Sequence, residues 1–148
     1  MAGVMIQTVT AFTGSLGFAM LFGLRRCYWI SASVGGGMGW MLYLLGIRIS
    51  KNIFVASVSA SAVIALYAEW LARQKKAPAT VFFIPSIIPL IPGSTLYYAM
   101  NGIVCGNFIL AKECGIQTLQ FVFAIATGTC LVWAGIAVWT GIKRKRTI

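Results

Sequence analysis

The chain has 148 residues, of which 59% are hydrophobic and 9% charged, and its mean hydropathy is +0.89, which excludes a water-soluble globular domain. Twelve Lys and Arg against two acids leave a net charge of +10. These charges fall in short clusters between long apolar stretches, so they read as membrane flanks and exclude a nucleic-acid groove.

A bilayer core of about 30 Å takes roughly 20 apolar residues per helix, and on that measure the sequence predicts an all-α, polytopic helical membrane bundle. It has about five spans, the fourth broken by proline, in a single transmembrane domain over 1–148. The first span, 5–24, lacks a basic region before it and is expected to be retained rather than cleaved. The second, 28–47, carries Gly35, Gly36, Gly37 and Gly39, and the third, 53–72, carries Ala56, Ser57, Ala60 and Ser61. Those small residues predict close helix approach, and the glycine triplet is also a candidate hinge. Trp29, Tyr43, Trp70, Trp133 and Trp139 are expected in interfacial belts or in packing.

Glu69 is the one acid in or at the edge of a span, and Arg73 follows one turn later. The pair either anchors the end of the third span or couples transport to protons.

The fourth segment, 80–110, is longer than a straight crossing needs and is broken at 85–93, where Pro85, Pro89 and Pro92 remove amide donors. Freed carbonyls at membrane depth must face protein or a hydrated cavity. Gly93 permits a turn, after which Ser94 or Thr95 can cap a fresh helix carrying Tyr98 and Asn101, with its N-terminus near mid-membrane. Unpaired amides and a positive dipole end suit a carboxylate. The candidate substrate-binding residues are therefore Pro85, Pro89, Pro92, Gly93, Ser94, Thr95, Tyr98 and Asn101; the competing reading is a Pro-kinked packing helix with Ser94 as an ordinary cap.

Lys112 and Glu113 are expected in a solvated outer loop, and the fifth span is 117–141. The run Lys143, Arg144, Lys145 and Arg146 reads as an anchor on anionic lipid. Nine basic residues lie on the side of the first and third connections and the C-terminus, against Arg48, Lys51 and Lys112 on the other. The positive-inside rule then puts the N-terminus outside and the C-terminus in the cytoplasm, provided the fourth segment crosses rather than re-enters.

Enzymatic chemistry lacks its parts, because the chain has no His, no Asp and no second carboxylate near Glu69. Cys27, Cys105, Cys114 and Cys130 show no CxxC spacing, so they are expected to be packing residues, with no metal or cofactor. Connections this short leave no room for an extramembrane domain, and so few spans enclose a pathway poorly, which predicts an oligomer or a partner subunit.

Ala68-Glu69-Trp70-Leu71-Ala72-Arg73, then Lys76-Ala77-Pro78-Ala79-Thr80, then Pro85-Ser86-Ile87-Ile88-Pro89-Leu90-Ile91-Pro92-Gly93, resemble the threonine/serine exporter family, in its C-terminal-half, small-subunit form. The resemblance implies export of small amino acids such as threonine and serine, or of dicarboxylates such as succinate, across a bacterial-type cytoplasmic membrane. It also implies a missing half, supplied by a larger membrane subunit; a homo-oligomer is the alternative assembly. Glu69, Arg73, Pro85, Pro89, Pro92 and Gly93 sit in the matching motif. The competing functional reading is a non-transporting assembly subunit whose small-residue faces scaffold a larger partner.

Overall fold

The computed structural model describes residues 2–145. Among them there is no strand, and the elements are α1 (Ala2–Leu21), α2 (Arg26–Ser50), α3 (Ile53–Lys75), α4 (Ala79–Ile87), a 3-10 turn (Ile88–Leu90), α5 (Gly93–Val104) and α6 (Phe108–Lys145). Four helices are long and apolar enough to cross a membrane, or five if the pair around the proline break, bent by 52°, forms one span. The chain is thus an all-α polytopic bundle. Arg146 of the C-terminal basic run lies outside the described residues.

The connections follow local chemistry. α2 ends at Lys51 in the left-handed region, and Asn52 caps α3 by accepting from the Phe54 amide at 3.0 Å. α3 ends at Lys76, also left-handed, and Pro78 then admits a new helix. Between α5 and α6 the chain reverses at Gly106, whose φ of 72° suits a residue without Cβ. α6 starts directly after it, so Lys112 and Glu113 are exposed residues of its first turns and not part of a loop. Their spacing within an otherwise apolar stretch hid that helical start.

Side-chain contacts set the register. Gly128 of α6 lies against Val58, Ser61 and Ala62 of α3, while Ile136 and Trp139 line one cleft with Leu66, Glu69 and Arg73. Equal steps on both helices mean that α3 and α6 run parallel. The intervening segment must therefore carry the chain back along the bundle. α5 is antiparallel to α6: Thr118 Oγ1 donates to Thr95 Oγ1 at 3.0 Å, and a Cβ on Gly102 would meet the Ala111 amide nitrogen at 2.8 Å.

At about 1.5 Å per residue, the 38-residue α6 outruns α3. Thr118 precedes Gly128 by ten residues, so the start of α5 is level with the Lys51–Asn52 turn, at one end of the bundle. The sequence puts this helix terminus near mid-membrane; within the bundle it stands level with the α2–α3 turn.

The small residues of α2 serve several neighbours rather than α3 alone. A Cβ on Gly39 would collide with Ile64 and one on Gly46 would press on Ala56 in α3, but one on Gly35 would strike Ser86 of α4 and one on Gly36 would strike Ser15 of α1. Tyr43, Ala56, Ala60, Ile64, Ile87 and Leu90 form the buried core between α2, α3 and the break. The cysteines contribute little packing here: Cys27, Cys105 and Cys130 are exposed and only Cys114 is half-buried. Cys27 and Cys130 stand on exposed helical positions and Cys105 in the turn after α5, which the absence of a motif could not show.

Candidate functional site

The proline break is the most constrained part of the fold. Pro85 lies inside α4 and is buried with Ser86 and Ile87. In a regular helix the Pro85 carbonyl would accept from residue 89, and Pro89 has no amide hydrogen. Ser15 of α1 supplies the missing donor, its Oγ giving a hydrogen bond to the Pro85 carbonyl at 2.9 Å, with both residues buried. Gly36 leaves the room that Ser15 needs. One position on, Ser86 Oγ lies 2.9 Å from the Ala32 carbonyl of α2 and 2.7 Å from the Phe82 carbonyl of its own helix, in the space left by Gly35. Tyr67 Oη donates to the neighbouring Ser31 carbonyl at 2.9 Å. The Pro85 carbonyl freed by Pro89 thus faces protein, as a polar group at membrane depth requires.

Beyond the turn the character changes. The Ile91 amide bonds the Ile88 carbonyl at 3.0 Å, and the Gly93 amide bonds Ile91 at 2.8 Å. α5 then begins at Gly93, so its cap position is Pro92 and no side chain caps it. Ser94 and Thr95, expected as caps, are instead inside the first turn. Thr95 Oγ1 turns back to the Pro92 carbonyl at 3.0 Å. Gly93, Ser94, Tyr98 and Asn101 are exposed on the outer surface of the chain, and a Cβ at Gly93 would meet nothing within 4 Å. The eight proposed residues therefore divide: Pro85 and Pro89 join the packed break, Pro92 and Thr95 form the bend, and Gly93, Ser94, Tyr98 and Asn101 stand outward.

Two clefts flank these elements. One, of about 340 Å³, opens between α1, α2 and the 3-10 turn, lined by Ile6, Gln7, Thr10, Gly14, Trp40 and Pro89. Trp40 and its buried indole N–H, which has no acceptor among the described residues, were not singled out by the sequence; only the tertiary neighbours reveal them, as with Ser15.

The other cleft, of about 380 Å³, lies between α3 and α6 and is lined by Leu66, Glu69, Trp70, Arg73, Ile136, Trp139 and Thr140. Glu69 and Arg73 form the expected pair, Nε and Nη2 of Arg73 donating to Glu69 Oε1 at 3.1 and 3.0 Å. The Glu69 side chain is 24% exposed and that of Arg73 59%. Among the described residues no group of three or more His, Cys, Asp or Glu could hold a metal ion.

A family model described as Threonine/Serine exporter, ThrE matches residues 7–134, a stretch that includes the break, α5 and the Glu69–Arg73 pair. No solved structure matches the chain.

Proposed function

We propose that this chain, which belongs to the threonine/serine exporter family, exports small carboxylate-bearing solutes from the cytoplasm as one part of a larger assembly. Its family is one of membrane transporters and not of enzymes, and its multi-pass helical architecture suits that role. Threonine and serine are the first candidate solutes, and dicarboxylates such as succinate share the carboxylate that the start of α5 would receive.

The observation that carries the reading is the division at the break. At the break itself the Pro85 carbonyl and the Ser86 hydroxyl find partners within the chain, whereas Ser94, Tyr98 and Asn101 present polar atoms outward beside the first turn of α5. A polar strip on the outside of an apolar bundle fits a solute path completed by another subunit, the larger half of the same family or a second copy. The parallel run of α3 and α6 supports a crossing fourth segment, with the N-terminus outside and the C-terminus in the cytoplasm. On that orientation α5 lies at the outer end and Glu69 near the cytoplasmic end, where its carboxylate is the candidate proton-coupling group.

The test is efflux of labelled threonine, serine and succinate from proteoliposomes holding this chain with and without the co-purified larger half. Efflux that needs both supports a shared pathway; none from a verified, folded complex would leave this chain as a scaffold. Proton coupling is tested separately with Glu69→Gln, expected to abolish the pH dependence of efflux; an unchanged dependence removes Glu69 from that role.

A further inference from the structure

We propose that the cleft between α3 and α6 is a binding station for a hydroxy amino acid in its zwitterionic form, at the opposite end of the bundle from α5. The proposal rests on the exporter reading above and adds to it where the solute is first held.

The ion pair is arranged to be extended. Both bonds from Arg73 converge on Oε1 of Glu69, so Oε2 has no donor among the described residues, and Nη1 of Arg73 likewise has no acceptor. A carboxylate offers about four lone-pair sites and a guanidinium five N–H donors, so neither is saturated. An α-amino acid carries an ammonium and a carboxylate on one carbon, so it can present both charges to one ion pair. Its ammonium can donate to Oε2 while its carboxylate accepts from Nη1, giving four alternating charges without breaking the existing pair.

The third polar group supplies side-chain discrimination. Thr140 Oγ1 lies 2.9 and 3.0 Å from the Ile136 and Ala137 carbonyls, so its proton is committed to the backbone and its oxygen is left as an acceptor. A solute hydroxyl can donate to it; a methyl in the same place cannot. Leu66 and Ile136 provide apolar walls, and a volume of about 380 Å³ lies within the range of small-ligand clefts.

The experiment is equilibrium binding of labelled L-threonine to the full-length chain, reconstituted with its larger half in nanodiscs with and without phosphatidylethanolamine, whose headgroup carries the same pair of charges. Unlabelled valine, threonine methyl ester and N-acetylthreonine serve as competitors. Glu69→Gln and Arg73→Gln are each expected to weaken threonine at least tenfold, and both blocked analogues should compete poorly. Thr140→Val should weaken threonine several-fold and leave valine unchanged. Threonine binding that is equal to wild type in all three variants overturns the proposal, as does an absence of threonine binding with phosphatidylethanolamine enriched in its place. If those variants bind normally while the complex still exports threonine, the station is refuted and the exporter reading stands. If the wild-type complex exports no amino acid, the exporter reading fails on its own.

Discussion

The segment before Leu90 and the helix after it are built from the same residue types, yet they meet opposite surroundings. Ser15, Ser86, Gly35 and Gly36 enclose the break so closely that an added Cβ at either glycine would collide with a serine. Across the bend, Gly93 has open space and Ser94 and Asn101 face outward. Small and polar residues in a membrane protein therefore do two separate jobs here. In the first region they repair a helix that proline has interrupted, and in the second they face outward, where the proposed solute path would meet them.

The sharpest way to break this contrast is to fill the packed side. Gly36→Leu forces a side chain into Ser15 and towards Pro89, and overpacking of this sort costs about 1–3 kcal/mol or more. A large drop in thermal unfolding temperature in detergent is expected, and wild-type stability would mean that α1 and α2 are not in close contact there.

Next comes the repair itself. Ser15→Ala leaves the Pro85 carbonyl buried without a donor, a loss of about 1–3 kcal/mol. Pro89→Ala restores an amide four residues after Pro85, so the double variant should recover much of that loss in a thermal-denaturation cycle. An additive outcome would show that Ser15 does not stand in for the missing amide.

Part of this was legible beforehand. Helical spans follow from apolar length alone, because lipid leaves few other solutions for the backbone. The pair Glu69 and Arg73 followed from helical spacing, since one turn suffices to bring them together. Three prolines in eight positions announced orphan carbonyls but not their partner, because Ser15 lies 70 residues from Pro85. The same limit hid Trp40, and it left open which neighbours Gly35 and Gly36 serve, which are α4 and α1. The level of the α5 start within the bundle depends on the register of α6, which no local pattern encodes.

Smaller effects sharpen the outer region. Thr118→Val removes the hydrogen bond to Thr95 that ties α5 to α6, and interhelical bonds in membranes average about 0.6 kcal/mol. Hydrogen exchange should rise in α5 and stay unchanged in α2 and α3; a global change would mean that α5 is integral to the bundle. Least of all, Glu69→Gln should alter stability by only about 0.3–0.5 kcal/mol, as for other solvent-accessible pairs at this spacing. A loss of several kcal/mol would instead make the pair a structural anchor.

Gly93→Leu tests the central claim most directly, because beyond its own helix and chain neighbours no described residue lies within 4 Å of the added Cβ. The account predicts that the variant folds and assembles with the larger half, with thermal stability near wild type, while threonine efflux from proteoliposomes falls at least tenfold. Wild-type efflux from the assembled variant would contradict it, since no solute could then depend on close approach to the start of α5.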